Sequence, residues 1–351
     1  EGSPPFPTGP WLRGLHHAVG APDPERSGWH ESHTVTVASS SHGGPAVLAS
    51  VLERGRSFGL VYLRPVAEGL RVEVELQAER ILEPGAAVEL DPVRLALDCD
   101  ASRMLERFAT LWGREGGART SAPFQSGWCS WYHFFHHVSE QDLDRNLDAL
   151  AERRAEVPVD VVQLDDGYQR AIGDWRQCNE KFPSGLASVA SRIRERGFVA
   201  GLWTAPFCAV PESQLFADHP DWLLRDPADP DAFFRGLLHA EWSPTGNVHV
   251  LDPSQPDVLA HLESLFADLV ALGFDYLKLD FLYVAAMQAL AHDPHRTPAE
   301  RLRIGLEAVR AGAGPEAFLL GCGCPMGPAV GIVDGMRISA DVAPHWGLGD
   351  G

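Results

Sequence analysis

From about residue 120 the sequence alternates short apolar runs with longer amphipathic stretches, and this alternation limits the fold more than any other feature. Strands separated by helices of this length form a parallel sheet with right-handed crossovers. Six strands are predicted in this part of the chain: Phe124–Trp131, Val159–Asp165, Phe198–Ala205, Tyr276–Phe281, Phe318–Cys322 and Met336–Ala340.

The amphipathic stretches between these strands carry the start and stop signals of helices. A serine or a capping box stands at most of the predicted starts, and a glycine follows several of the predicted ends. The predicted limits are Ser139 to about Arg154, Ser184 to Gly197, Pro256 to Gly273, and a start at Thr297-Pro298-Ala299-Glu300.

The first 118 residues have a different character, because their apolar residues alternate as in half-buried strands. Thr34–Val37 and Leu70–Leu76 are examples. We therefore expect an N-terminal β-sandwich domain over 1–118, ending in a connecting helix with Leu105, Phe108 and Trp112 on one face. Residues 119–351 are expected to form a (β/α)8 TIM barrel. Eight strands close such a barrel and six fit here, so the barrel is expected to be incomplete at its C-terminal end and the chain to be a fragment.

Composition excludes several classes of partner. Lys and Arg number 29 against 48 Asp and Glu, giving a net charge of −19. This charge disfavours nucleic acid and anionic membranes and suits a neutral ligand such as a sugar. No apolar stretch approaches the ~20 residues that span a bilayer. Because no secretion signal is visible, a cytoplasmic location is predicted.

Two aspartates, Asp280 and Asp341, each close a short alternating run and stand where a strand meets its loop. In a barrel, such carboxylates converge on the rim that carries the active site. Paired carboxylates are what glycoside hydrolysis requires. Asp165 and Asp166 end another strand, and neighbouring carboxylates can accept hydrogen bonds from vicinal sugar hydroxyls. The alternative for that pair is an ordinary Asp-Asp-Gly turn.

Two cations accompany these carboxylates. Lys278 and Asp280 are two residues apart in one strand, so they share a face inside the barrel. Lys278 could form a Schiff base, as in barrel aldolases, or pair with Asp280, or be an ordinary interior ion pair. Arg337 precedes Asp341 by four residues. It could clamp a hydroxyl, hold the acid carboxylate, or form a buried structural pair.

Aromatic residues at strand ends suit a sugar, whose C–H faces stack on rings while its hydroxyls need acceptors. Trp128, Trp131 and Trp203 have such positions, whereas core packing is favoured for Trp112 and Trp222.

The histidine and cysteine residues do not have the spacing of a metal site. The histidines of the run Tyr132–His137 are interpreted as loop residues, because adjacent histidines seldom converge on a metal. Six cysteines in so long a chain do not make a disulfide framework, and the Cys322/Cys324 pair lacks the partners of a zinc site. Cys322 is the likelier of the two to approach a substituent of a bound ring, next to small residues.

At these residues the sequence resembles the retaining α-galactosidases of glycoside hydrolase family thirty-six, whose relatives include raffinose and stachyose synthases. The segments occur in the family's order and cover about 125 to 346. They are Gly127–Tyr132, Leu164–Gly167, Gly201–Trp203, Tyr276–Asp280 and the run from Gly321 to Trp346.

The resemblance implies a β-sandwich followed by a (β/α)8 barrel, no metal or organic cofactor, and α-galactosides such as melibiose or raffinose as substrates. It also allows a homo-oligomer. The implied roles are Asp280 as nucleophile, Asp341 as acid/base, Asp165 and Asp166 on the C4 and C6 hydroxyls, Lys278 and Arg337 on the C3 and C2 side, Trp131, Tyr132 and Trp203 in the pocket wall, and Cys322 near C2.

The chain departs from the family at Tyr168, where Trp is more usual, which leaves the aglycone preference open. A retaining mechanism would need the two catalytic carboxyl groups roughly 5–5.5 Å apart. Three alternatives to hydrolysis stay open: a galactosyltransferase of the raffinose-synthase type, a Schiff-base aldolase using Lys278, and a non-catalytic sugar-binding remnant.

Overall fold

The computed structural model of the protein describes residues 29–39, 44–67, 69–338 and 341. The strands are β1 (His30–His33), β2 (Val35–Ala38), β3 (Ala46–Val51), β4 (Phe58–Val66), β5 (Gly69–Gln77), β6 (Val93–Asp98), β7 (Gly127–Cys129), β8 (Val161–Leu164), β9 (Val199–Thr204), β10 (Cys208–Ala209), β11 (Arg225–Asp226), β12 (Asp229–Phe233), β13 (Arg235–Leu238), β14 (Asn247–Val250), β15 (Tyr276–Leu279), β16 (Phe318–Gly321) and β17 (Gly335–Met336).

The α-helices are α1 (Ala101–Gly116), α2 (Trp131–Phe134), α3 (Glu140–Glu152), α4 (Gly185–Glu195), α5 (Gln214–Asp218), α6 (Pro256–Ala271), α7 (Pro298–Ala313) and α8 (Met326–Ala329). Short 3-10 turns lie at Phe135–His137, Pro220–Trp222 and Leu282–Ala286. None of the helices in the described ranges is long and apolar enough to cross a membrane.

The first six strands form two antiparallel sheets, with the orders β1-β4-β5 and β2-β3-β6. Strand β3 contacts apolar neighbours on both faces because its side chains alternate. Leu48 packs in one cluster with Phe108 and Trp112 of α1. Ala49 packs in another cluster with Val61 of β4. Strand β3 therefore links the helix to the second sheet.

The predicted connecting helix is present as α1, with a small shift of its buried face. Met104, Phe108 and Trp112 are buried at intervals of four residues. Leu105, which the sequence placed on that face, is exposed. The four-residue spacing keeps side chains on one stripe, and Leu105 lies about 100° away from it.

The six strands predicted after residue 120 are found in the predicted order as one parallel sheet, β17-β16-β15-β9-β8-β7. Each strand pairs with the next strand of the set along the chain, and the sheet curls into a half-barrel. The strands are shorter than predicted. Trp131 was placed in the first strand but begins α2, which turns the chain away directly after β7. Residues 339 and 340 of the last predicted strand lie outside the described residues.

Two of the predicted helix starts are complete capping boxes. The Ser139 side chain accepts from the Asp142 amide and the Thr297 side chain from the Glu300 amide, and the acidic side chains bond back. Ser184 occupies the predicted start of α4 but makes no capping bond. Its hydroxyl accepts a hydrogen bond from Arg192 instead, so this detail of the prediction is wrong.

An excursion between β9 and α6 was not predicted. It contains β10 to β14, in a small antiparallel sheet of order β10-β14-β13 and a hairpin of β11 and β12. The loop 239–246 between β13 and β14 is closed by a 2.7 Å bond from the His239 amide to the Gly246 carbonyl. This loop reaches the edge of the half-barrel where the predicted site residues lie.

Candidate active site

The carboxyl ends of neighbouring parallel strands bring the predicted acidic residues to one edge of the half-barrel. Asp165 and Asp166 follow β8, and Asp280 follows β15; both strands pair with β9. This is the edge at which barrel enzymes carry their active sites. Asp165 is 1% exposed, Asp166 2% and Lys278 5%, so these charges need partners.

Lys278 is the cation that links two of these carboxylates. Its Nζ lies 3.0 Å from Oδ2 of Asp165 and 3.7 Å from Oδ2 of Asp280. The predicted pairing with Asp280 is thus present, but Asp165 is the nearer partner. Burial alone would lower the pKa of Lys278, and the two carboxylates more than offset it, so the net shift is upward. Schiff-base chemistry needs the neutral amine, so this environment disfavours the aldolase alternative.

Asp165 is held almost entirely by protein donors. Its Oδ2 accepts hydrogen bonds from the Cys129 thiol (3.3 Å), the Gln163 amide (2.5 Å) and Lys278. Its Oδ1 accepts from the backbone amide of Asp166. Burial raises the pKa of Asp165, while the adjacent Lys278 ammonium acts against that rise.

Asp166 is surrounded by a different set of donors. Its Oδ2 lies 3.0 Å from Nδ1 of His136 and accepts a 2.7 Å bond from the indole N–H of Trp242. Its Oδ1 accepts a 2.6 Å bond from Gln169. Burial opposes ionisation here, but these three partners outweigh it and the pKa of Asp166 is lowered. The side chain is therefore a carboxylate at neutral pH.

The Asp-Asp-Gly segment bends at Asp166 and Gly167, so it combines a change of chain direction with two neighbouring carboxylates. Gly167 has a φ of +117°, which only glycine adopts without strain. A Cβ there would lie 2.8 Å from the carbonyl oxygen of His136. The glycine thus lets α2 and the following 3-10 turn approach the two aspartates.

Asp280 is oriented by two N–H donors. Its Oδ2 accepts a 3.0 Å bond from the indole of Trp203, and its Oδ1 a 2.8 Å bond from the backbone amide of Phe281. Phe281 has φ 53° and ψ 31°, the left-handed region that a non-glycine residue seldom occupies. Such strain is commonly found at functional sites, and here it turns an amide toward a carboxylate.

Asp341 is held by Arg337, which was predicted to lie near it, and by Trp131, which was predicted in the pocket wall. The indole N–H of Trp131 donates a 3.0 Å bond to its Oδ2, and Arg337 Nη1 donates to its Oδ1. Arg337 thus pairs with the carboxylate of Asp341, which fits either holding an acid carboxylate or a structural ion pair. Asp341 itself is exposed, unlike the aspartates after β8.

Cys322 and Tyr132 each lie near one of the two proposed catalytic carboxylates and near the same two cations. Burial, followed by the charge of Asp280, raises the pKa of the Cys322 thiol to about 12, against the opposing effects of Lys278 and Arg337. The pKa of Tyr132 is raised by burial and then by Asp341, with the same two cations opposing. Cys322 therefore lies near Asp280, and Tyr132 near Asp341.

The tryptophans follow the prediction only in part, and one further tryptophan lies at the site. Trp112 is buried in the cluster around α1, and Trp222 stacks on His219. Trp128 packs edge-on against Phe134 rather than contacting a carboxylate. The further tryptophan is Trp242, which bonds to Asp166 although no local pattern marks it.

The histidine run was interpreted as loop residues, and this is wrong. His133 belongs to α2, while His136 and His137 form a 3-10 turn. His136 lies close to Asp166 because the chain turns into α2 at Trp131. An extended chain at this point would carry His136 away from Asp166. In the part of the chain that is described, no three His, Cys, Asp or Glu side chains are grouped as metal ligands. Each of the six cysteines is a free thiol.

Comparison with known proteins shows what this chain is similar to. The family profile described as Melibiase matches residues 130–302. The α-galactosidase AgaA of Geobacillus stearothermophilus is 32% identical over 171 residues, which are 46% of this chain and 22% of that enzyme. The α-galactosidase of Escherichia coli is 31% identical over 140 residues, 37% of this chain and 18% of that enzyme.

Solved structures extend the similarity over most of the chain. TtGalA, an α-galactosidase from Thermus thermophilus solved in complex with stachyose, has a TM-score of 0.71 and 34% identity. The match covers 91% of this chain and 61% of that one, so the chain spans less than two thirds of this relative's length. The family profile, the curated α-galactosidases and the solved structure together support assignment of the chain to the melibiase family, the α-galactosidases of glycoside hydrolase family thirty-six.

Proposed function

We propose that this chain carries the catalytic site of a retaining α-galactosidase, which hydrolyses terminal α-D-galactosyl residues of galacto-oligosaccharides and other galactosides. The observation that carries the proposal is the contrast between two carboxylates at one strand edge. The Asp280 side chain is 15% exposed and lies against N–H donors and a lysine, whereas that of Asp341 is 46% exposed, beside Trp131 and Arg337. Different surroundings allow two carboxyl groups to take opposite roles.

In the proposed mechanism Asp280 is the nucleophile. Its carboxylate attacks the anomeric carbon while protonated Asp341 gives its proton to the departing glycosidic oxygen. The bonding electrons of the broken C–O bond leave with that oxygen, and a covalent β-galactosyl ester of Asp280 forms. Asp341, now a carboxylate, takes a proton from water, whose oxygen displaces Asp280. Two displacements return the α anomer of galactose.

The substrate pocket is proposed to use the remaining acceptors and cations at the same edge. Asp165 and Asp166 would accept from the C4 and C6 hydroxyls, and Lys278 with Arg337 would lie on the C3 and C2 side. The other proposed contacts are Trp131, Tyr132 and Trp203 in the wall and Cys322 near C2. The relative solved with stachyose, and the same protein solved with p-nitrophenyl α-D-galactopyranoside, support α-galactosides as the substrate class.

The architecture proposed for the whole unit follows the same family. Residues 1–118 would be an N-terminal β-sandwich domain and 119–351 the catalytic domain, whose half-barrel is part of a (β/α)8 barrel. The two antiparallel sheets that share the Ala49 and Val61 cluster support the first assignment. A homo-oligomer and a cytoplasmic location stay predictions from the sequence.

Hydrolysis of p-nitrophenyl α-galactoside by the protein and by Asp280→Ala tests the proposal. We expect nitrophenol release from the wild type, loss by at least about a hundredfold in the variant, and α-galactose as the first product seen by NMR. Full activity in the variant, or β-galactose as first product, would contradict it. Transfer of galactose to sucrose in preference to water would favour the galactosyltransferase. Binding of galactose without turnover would favour the sugar-binding remnant.

A further inference from the structure

Trp242 stands apart from the other site residues because it comes from the excursion between β9 and α6 rather than from a strand end of the half-barrel. Its indole N–H donates a 2.7 Å bond to Oδ2 of Asp166. Its ring packs edge-on at 4.9 Å against Phe281, the residue after Asp280. The Trp242 side chain therefore contacts residues that follow two different strands, Asp166 after β8 and Phe281 after β15.

The loop that carries Trp242 is fixed in place by its own contacts. The ring of His239 stacks on the indole with a centroid distance of 4.1 Å and an interplanar angle of 14°. Ser243, the next residue, is buried and its hydroxyl donates to Glu212. The indole is thus held in one orientation before any ligand arrives, which is what a positioning residue needs.

The orientation of Trp242 limits which oxygen of Asp166 can accept a hydrogen bond from a ligand. Each carboxylate oxygen offers about two lone-pair sites. Oδ2 uses its two sites on His136 and Trp242, whereas Oδ1 uses one on Gln169. Within the described residues, the acceptor site left for a ligand is therefore on Oδ1. Without Trp242, a site on Oδ2 would open as well, and the carboxylate could turn.

We propose that Trp242 is a substrate-positioning residue, whose indole N–H fixes Asp166 so that Oδ1 alone is presented to a hydroxyl of the bound sugar. This rests on the proposed function, because it assumes that Asp166 binds the galactosyl group. The inference adds to the proposed function a binding-site residue that lies outside the barrel strands. The hydroxyl is held in the ground state and in the transition state alike, so the effect belongs on KM rather than kcat.

The test is Trp242→Phe, which keeps an aromatic ring against Phe281 and removes the N–H donor. The matched control is Trp222→Phe, a half-buried tryptophan of the same excursion that stacks on His219. With p-nitrophenyl α-galactoside we expect KM to rise roughly tenfold in Trp242→Phe, as for one lost charge-assisted hydrogen bond, with kcat within about twofold. The control should stay within about twofold in both constants.

A second background separates the hydrogen bond from ring packing. In Asp166→Ala, which removes both carboxylate oxygens, the added change Trp242→Phe should alter KM by less than about twofold, because the hydrogen bond is already absent. A full additional loss there, or a fall of kcat rather than a rise of KM, would overturn the proposal and point to packing on Phe281. An unchanged KM in the single variant would overturn it directly.

Calorimetric measurement of galactose binding tests the role of Trp242 separately from the proposed hydrolysis. If the wild type binds galactose without hydrolysing the substrate and Trp242→Phe binds it roughly tenfold more weakly, the inference stands while the proposed reaction fails. If the wild type neither binds nor hydrolyses, both are overturned.

Discussion

The indole N–H of Trp203 donates a 3.0 Å hydrogen bond to Oδ2 of Asp280 across two neighbouring parallel strands. Trp203 lies opposite Lys278 in the pairing of β9 with β15. Lys278 is two residues before Asp280, so the two side chains are on the same face of the sheet. The register of the sheet therefore delivers a donor and a cation to the same carboxylate. A bond from a neutral donor to an ionised acceptor is stronger than one between neutral groups, so Trp203 can hold the Asp280 carboxylate in this orientation.

Trp203→Phe removes that donor and keeps most of the ring. We expect kcat/KM for p-nitrophenyl α-galactoside to fall by roughly tenfold to a hundredfold, the range for a lost hydrogen bond to a charged group. Trp175→Phe is the matched control, because its ring packs edge-on against Trp203 and its Nε1 has no hydrogen-bond partner among the described residues. The idea fails if the two variants lose activity equally.

Lys278→Met leaves the buried carboxylate of Asp165 without its cation. Breaking a buried ion pair costs about 3–5 kcal/mol, so we expect a loss of that size in the free energy of unfolding at pH 7, measured with urea. Burial already raises the pKa of Asp165, and removing Lys278 should raise it further. The destabilisation should therefore shrink as the pH falls and Asp165 takes up a proton.

Lys278→Met combined with Asp165→Asn should recover part of this loss, because the second change removes the unpaired charge. A single variant as stable as the wild type, or a loss that does not depend on pH, would show that the two groups do not form the pair described.

Glu53 makes folding stability depend on pH near neutrality. It is 3% exposed, and its Oε1 accepts bonds from Thr34 and the Gly59 amide. Burial raises its pKa from 4.5 to about 7. The folded state therefore binds more protons than the unfolded state between these values, and stability falls as the pH rises from about 4.5 through 7. The limiting loss is about 3 kcal/mol.

Glu53→Gln should flatten this slope when urea unfolding is followed between pH 5 and 8. Glu115→Gln, at the partly exposed partner of Arg54, should keep it. Equal slopes in Glu53→Gln and the wild type would assign the pH dependence to other groups.

The strand positions and the strand-end carboxylates could be predicted because they depend on local order. Each strand of the half-barrel pairs with the next one of its set, so the alternation of strands and helices is enough to arrange them. Asp165, Asp166 and Asp280 then follow from their place after a strand. Contacts that depend on the path of a loop could not be predicted in this way.

Trp242 and His136 show what could not be predicted. Trp242 is 76 residues from Asp166 along the chain, and it is delivered by short strands that carry little periodic signal. His136 reaches Asp166 because α2 begins at Trp131, where the apolar run had suggested a continued strand. In both cases an aromatic or imidazole N–H meets a carboxylate through tertiary structure alone.

The opposite roles proposed for Asp280 and Asp341 predict opposite products in the presence of azide. Asp341→Asn cannot protonate the leaving group or activate water, but p-nitrophenol needs little protonation, so the covalent intermediate should form and then persist. Azide needs no general base, and it should restore turnover by attacking from the side that water uses, giving α-galactosyl azide. Asp280→Gly lacks the nucleophile, so azide would attack the substrate directly and give β-galactosyl azide. NMR of the anomeric proton distinguishes the two products, and the same anomer from both variants would refute the assignment of roles.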